Sequence, residues 1–359
     1  MGNKQVLVFE PNHLQKAIIL VLTLLIFIVS VFPSAHGFSV GFYALTCPAA
    51  ELIVRDSVRT ATASDSNVPG KLLRLLFHDC FVQGCDASVL LEGDETERSD
   101  PANASLGGFE IIDSAKNTLE TFCPGTVSCA DILALAARDA VVMTGGPDMQ
   151  IATGRRDGMV SEVTNVRPNM VDTSFTVDDM MRIFSSKGLS LEDLVILSEV
   201  FYAYQRTLDD GQRLSGNLES FGIAGAHTIG SAHCTIFNDR FRTDSRGNVT
   251  FVDSSLDKDY AAKLAKKCAA STSTTVHIDP QTSFSFDNQY YNNLLARRGL
   301  FQSDSNLFED QRTKDMVVKL AGDVDSFYEA WSESFLKLSS IGVKTDEGEI
   351  RQICSRTNV

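Results

Sequence analysis

From position 38 onward, apolar residues recur at three- and four-residue intervals far more often than at every second position. In the stretch 51–62, Ile53, Val54 and Val58 fall on one side with charges opposite, the arrangement of an amphipathic helix. The stretches 71–81 and 109–122 continue the pattern, the second halted by Pro124-Gly125. Residues 128–144 are rich in alanine and leucine and end at Gly145-Gly146-Pro147, a strong helix stop. Further helices are predicted over 176–187, 191–198, 227–237, 255–267, 288–298, 312–321 and 324–339. Alternating strands are scarce, and there is no internal repeat or low-complexity linker. The pattern predicts an all-α fold in one domain, residues 38–359, built as two helical lobes.

The first 37 residues follow a different rule. Lys16 precedes an apolar run over 17–32, and Ser34-Ala35-His36-Gly37 then supplies small residues at cleavage-like spacing. This reads as a secretory signal peptide cleaved after Gly37. The run approaches the lower limit of a membrane-spanning helix, but the small-residue exit and the mixed polar sequence after Phe38 favour cleavage. The chain carries a formal net charge of −14, which excludes a nucleic-acid partner that needs a basic footprint and suits no anionic membrane surface. Eight cysteines follow the leader. An even number in an oxidising compartment predicts four disulfides, without saying which cysteines pair. Asn103-Ala104-Ser105 and Asn248-Val249-Thr250 are glycosylation sequons expected at the surface.

Of six histidines, His13 and His36 lie in the leader, leaving His78, His227, His233 and His277 for any imidazole chemistry. On a helix, Arg74 and His78 are four apart and share a face, with Phe77 beside them. A base, a permanent cation and a flat apolar wall suit peroxide cleavage. The imidazole takes a proton from the peroxide and returns it to the leaving oxygen, while the guanidinium stabilises the charge developing there. Immediately after, Asp79, Cys80, Val82, Gly84, Cys85, Asp86 and Ser88 crowd two carboxylates, a hydroxyl and a flexible glycine into one loop. Calcium takes six to eight such oxygens. Zinc through His78, Cys80 and Cys85 is the competing reading, weakened because secretion oxidises thiols.

The segment 72–91, LLRLLFHDCFVQGCDASVLL, resembles the distal helix and calcium loop of class III (secretory) plant peroxidases, the horseradish peroxidase type. Further matches follow in order through Thr126-Val127-Ser128-Cys129-Ala130-Asp131, Gly154-Arg155-Arg156-Asp157, Gly225-Ala226-His227-Thr228-Ile229-Gly230, Phe286-Asp287-Asn288, Tyr290-Tyr291 and Gly299-Leu300-Phe301-Gln302-Ser303-Asp304. The resemblance implies a secreted enzyme, in the cell wall, apoplast or vacuole, with haem b between two lobes and two calcium ions. It implies reduction of hydrogen peroxide and one-electron oxidation of small phenolic donors, as in oxidative-stress and lignin chemistry, by a monomer with no membrane partner after cleavage. His78 would be the distal acid–base, Arg74 its cationic partner and Phe77 the wall over the haem. His227 would be the axial iron ligand, Asp304 the acceptor of its other ring proton, and Pro168 part of the reducing-substrate site. The first calcium would use Asp79, Val82, Gly84, Asp86 and Ser88, the second Thr228, Asp279, Thr282, Ser285 and Asp287. The disulfides implied are Cys47–Cys123, Cys80–Cys85, Cys129–Cys354 and Cys234–Cys268. Ile278, where the ascorbate and cytochrome c peroxidase branches place tryptophan, counts against those branches. His233 and His277 receive no role.

Two departures stand out. Where the family has asparagine after Pro101, this chain has Ala102, which cannot accept a hydrogen bond from the second nitrogen of His78. Asn103, one residue further on, is the residue that could shift into that place, because the loop (97–107) is shorter than usual. The expectation is a less well-oriented His78 and a slower reaction with peroxide. Separately, removing residues 199–224 would restore an uninterrupted LVILSGAHTIG, so that stretch reads as translated intron. If it is real, it interrupts the helix presenting His227, and the alternative is a secreted, calcium-stabilised scaffold without turnover. Transcript reads across the codons for Ser198 and Gly225 are expected to join them directly; reads that retain the intervening codons would reject the intron reading.

Overall fold

The computed structural model describes residues 37–198, 227–245, 248–269, 271 and 274–358. The leader expected up to Gly37 lies outside the described residues except for Gly37 itself, as does the whole of 199–224. Phe38–Val359 clusters as one compact unit.

Twelve α-helices occur among the described residues. The first four, α1 (Ala50–Ser64), α2 (Val68–Val82), α3 (Phe109–Phe122) and α4 (Cys129–Met143), surround the first candidate residues. Pro69 opens α2, where its missing N–H costs nothing. The Ser128 hydroxyl caps α4 by accepting the Asp131 N–H at 3.1 Å. The chain leaves α4 through Gly145 at φ 96°. A single turn, α5 (Val166–Asn169), leads to α6 (Val177–Ser186) and α7 (Leu191–Leu197). Both of these open on capping boxes, Thr176 with Asp179 and Ser190 with Asp193. After α8 (Lys258–Cys268) come α9 (Gln289–Leu295), α10 (Gln302–Glu309), α11 (Gln311–Gly322) and α12 (Val324–Leu338). The helical periodicity missed only α5 and α10. α10 is short, and its sequence is polar along most of its length.

The helix predicted over 227–237 does not form. Residues 227–229 make a turn, followed by β1 (Ser231–His233) and a 3₁₀ turn at Cys234–Ile236. Three more short strands follow, β2 (Phe241–Thr243), β3 (Val249–Val252) and β4 (Thr275–His277). β1 pairs antiparallel with β4, and β2 with β3. Every residue from His227 to Cys234 is buried, so each backbone polar group of the segment needs a partner inside the protein. Its backbone finds partners across the fold, with Ile278 N–H donating to Gly230 O at 3.0 Å and Cys234 N–H to Thr274 O at 3.0 Å.

α2 packs chiefly on α4, and α1 on α3 and α4, while α11 gathers α9, α10 and α7. The apolar interior divides in two. A large cluster runs through α1–α7, α9, α11 and α12, and a smaller one combines β1, α8, Ile278, Leu300 and Phe301. Disulfides join Cys47 to Cys123, Cys80 to Cys85, Cys129 to Cys354 and Cys234 to Cys268, leaving no free thiol.

Asp131, fully buried in the first turn of α4, is a hub. Its Oδ2 accepts the Tyr43 hydroxyl and the Gly154 N–H, each at 2.6 Å, and its Oδ1 accepts Arg155 Nη1 at 2.7 Å. Arg155 in turn donates to Ser339 O just past α12. Asp131→Ala strands a buried guanidinium and is expected to cost about 3–5 kcal/mol. Tyr43→Phe removes one donor to a charged acceptor and should cost about 1.5–3 kcal/mol. Denaturant unfolding of the two variants checks the order; an Asp131→Ala cost no larger than that of Tyr43→Phe would reject the hub.

Candidate active site and cation sites

The second half of α2 is buried on every face, yet it carries Arg74, His78 and Asp79. Such groups survive inside only with partners. Arg74 Nη1 donates to Ser105 O at 3.1 Å and Ser105 Oγ at 2.9 Å, and Nη2 donates to Ala102 O at 3.1 Å. Its Nε points to His78 Nε2 at 3.3 Å. A guanidinium has no acceptor, so Nε2 of His78 is the lone-pair nitrogen and Nδ1 carries the hydrogen. Nδ1 lies 2.6 Å from Asn103 Oδ1, and Asn103 Nδ2 donates to Glu97 O at 2.8 Å, which fixes the amide's orientation. Burial first, and the Arg74 charge second, hold the His78 pKa well below its ordinary 6.5, with Asn103 opposing them. The result is a neutral imidazole with a defined tautomer and a cation alongside. Phe77 stacks on Phe81 with ring centroids 3.9 Å apart.

The expectation of a poorly held His78 is therefore corrected. Asp100 makes the difference: its Oδ1 accepts the Ala102 N–H and its carbonyl accepts the Asn103 N–H, both at 2.8 Å. This Asx turn brings residue 103, rather than 102, to the imidazole, and Ala102 gives its carbonyl to Arg74. The same fact corrects the surface placement of the first sequon, because Asn103 is only 2% exposed. Asn248 is exposed.

Below α2, Asp79, Asp86 and Ser88 are all buried. Asp79 accepts the Ala87 N–H at 2.9 Å and Asp86 Oδ1 accepts the Ser88 N–H at 3.0 Å. Lys344 Nζ makes a very short contact with Asp86 Oδ2. Gly84 has φ 108°, and a Cβ there would stand 2.7 Å from Gly342 O, so both the turn and the close approach demand glycine. The Val82 carbonyl receives a long bond from Lys187 Nζ at 3.4 Å. Burial, then the Asp86 charge, push Asp79 well above the ordinary carboxylate range, and burial pushes Glu97 up to about 8. The Ser88 hydroxyl and the Glu97 carboxylate interact with each other, but neither finds a well-directed hydrogen bond. Buried, under-neutralised oxygens are what a divalent cation would satisfy, so this donor set fits calcium.

The second set also converges. Thr282 Oγ1 lies 3.0 Å from Asp279 Oδ2 and 3.1 Å from Asp287 Oδ1, while Thr228 Oγ1 donates to Asp287 O at 3.0 Å and approaches Ser285 O at 3.4 Å. Among the described residues no three His, Cys, Asp or Glu side chains form a metal cage. A cation in either place would also draw on hydroxyl and carbonyl oxygens.

His227, 1% exposed, sits in the turn before β1, with Nδ1 2.9 Å from Asp304 Oδ1 and the ring tilted so that its N–H is not aimed straight at that oxygen. With Nδ1 facing that carboxylate, Nε2 is the nitrogen available in kind to a porphyrin iron, and a buried imidazole backed by a carboxylate fits that ligand role. Pro168 is exposed on α5. Beside it Arg167 pairs with Asp100 at 3.5 Å. Glu97, Lys344 and Tyr290 went unnoticed in the sequence. Glu97 sits in a charge-rich stretch that reads as a solvated loop, and only Tyr290 carried a signal, as part of the Tyr290-Tyr291 motif.

The peroxidase family pattern matches residues 54–323. Peroxidase 18 of Arabidopsis thaliana is 58% identical over 329 residues, covering 90% of this chain and 92% of the relative. Peroxidase 46 is 56% identical over 340 residues, covering 94% and 96%, and Peroxidase 55 is 41% identical over 328 residues, covering 89% and 90%. The chain belongs to the peroxidase family, in its plant secretory branch, and is a peroxidase enzyme. The competing expectation of a scaffold without turnover draws no support from these relatives. No helix among the described residues is long and apolar enough to cross a membrane.

Asn103→Ala is expected to slow the reaction with peroxide at least about tenfold, by loosening a general base worth about 10²–10⁴, whereas Ala102→Asn should leave the rate unchanged; stopped-flow kinetics distinguish them. As pH falls through about 6.5, an unfolded His78 takes up a proton that the folded ring refuses. The stability present above that pH is therefore lost on acidification. His78→Phe should flatten this part of the stability–pH curve.

Proposed function

We propose that this peroxidase reduces hydrogen peroxide and oxidises small phenolic donors one electron at a time, using haem b and two calcium ions. The observation that carries the reading is the neutral, Nδ1-protonated His78 held between Asn103 and Arg74. Peroxide would give a proton to His78 Nε2 and leave its charge beside Arg74, whose guanidinium is already fixed by Ser105 and Ala102. His78 then returns the proton to the departing oxygen, which leaves as water. Haem, when bound, supplies the redox chemistry. His227 would take the iron through Nε2, with Asp304 behind it.

The first calcium would be held by Asp79, Asp86 and Ser88 with the carbonyls of Asp79, Val82 and Gly84. The second would be held by Thr228, Asp279, Thr282 and Asp287 with the carbonyl of Ser285. The buried, unsatisfied oxygens at Ser88 and Glu97 support the first of these. Phenols would approach near Pro168, whose exposure on α5 suits a site open to small donors. The protein would act as a monomer outside the cell, in the wall or apoplast, or in the vacuole, in oxidative-stress and lignin chemistry.

Purified protein is expected to show a haem Soret band and peroxide-dependent guaiacol oxidation. His78→Leu should keep the band and lose roughly 10²-fold or more of the rate. A protein without the band, or a His78→Leu enzyme as fast as the parent, would reject the reading. Chelation of calcium should lower the unfolding temperature and the activity together.

A further inference from the structure

Behind His227 one carboxylate oxygen faces the imidazole and also accepts a tyrosine hydroxyl. Asp304 Oδ1 lies 2.9 Å from His227 Nδ1 and also accepts the Tyr290 hydroxyl at 3.0 Å. The other oxygen, Oδ2, accepts the Phe301 N–H at 2.8 Å at the start of α10, so the carboxylate cannot rotate to offer a second free oxygen to the imidazole. His227, Tyr290 and Asp304 are each no more than 1% exposed. The Tyr290 ring stands edge-on to His227 with centroids 5.6 Å apart, and Phe301 closes another side at 5.1 Å.

A carboxylate pulls on an imidazole N–H in proportion to its basicity, and every other donor it accepts lowers that basicity. The geometry points to Tyr290 as a tuning residue for the axial imidazole: by donating to the oxygen that faces His227 Nδ1, it limits how much negative charge His227 passes to the metal. It rests on the axial role proposed for His227. Tyr290 does not touch the reacting atoms; it acts through Asp304. Its consequence is a less electron-rich iron, more readily reduced than one backed by a carboxylate serving His227 alone. Tyr291, the next ring along at 5.3 Å, gives its hydroxyl to Val195 O instead and provides a packing control.

The test is resonance Raman spectroscopy of the reduced holoprotein, reading the iron–histidine stretch, together with a redox titration. Tyr290→Phe is expected to shift the stretch upward. It should also move the oxidised-to-reduced ratio at fixed potential about tenfold toward the oxidised form, the lower end of what one charge-assisted hydrogen bond is worth. Tyr291→Phe should move neither, and Asp304→Asn should shift the stretch downward. If Tyr290→Phe loses its haem, 3-fluorotyrosine placed at 290 gives the reverse test, since a more acidic hydroxyl donates more strongly and should lower the stretch. An unchanged or lowered stretch in Tyr290→Phe, or a raised one with fluorotyrosine, overturns the inference while leaving the axial role standing. No iron–histidine band in the parent protein overturns the axial role itself.

Discussion

A charged or polar side chain can be kept inside this protein only if folding also delivers its partner, and the hydrogen bond between His78 and Asn103 is where the chemistry depends on that condition. An imidazole buried in an apolar helix has no intrinsic reason to choose a tautomer. Arg74, which can only donate, takes one nitrogen as acceptor, and Asn103 takes the hydrogen on the other. The amide is itself held by Glu97 O. A base of defined protonation therefore results from three contacts, none of them adjacent to His78 in the chain.

The same constraint recurs at the other buried charges. Asp131 collects Tyr43, Gly154 and Arg155, and Asp157 accepts backbone N–H groups at the start of α4 and from Arg351. Asp304 serves His227, Tyr290 and Phe301. In each case a carboxylate ties a helix start to a distant segment, so the polar interior also serves as scaffolding. The loop after α2 is the exception. Asp79, near the end of α2, and Glu97 lie buried there with too little positive charge, and the fold is left with oxygens that a divalent cation would satisfy.

Much of the architecture was legible from local pattern. The apolar spacing of 51–62 and 109–122, the Gly145-Gly146 stop and the Ser/Thr caps before α6 and α7 act over a few residues, and the helices lie where those patterns put them. The four-residue spacing of Arg74 and His78 likewise required a shared helix face. Where local pattern failed, it was overruled from a distance. Residues 227–237 look helical in isolation, yet pairing with 274–278 makes them a turn, a short strand and a 3₁₀ turn.

The amino-acid sequence by itself determined the helical class, the family, and which few side chains could carry peroxide chemistry, because these depend on residue type and short spacing. Which asparagine meets His78, which sequon is buried and which tyrosine shares Asp304 were decided only by tertiary structure. A one-residue shift inside an Asx turn, or two donors converging on a single oxygen, leaves no periodic trace along the chain.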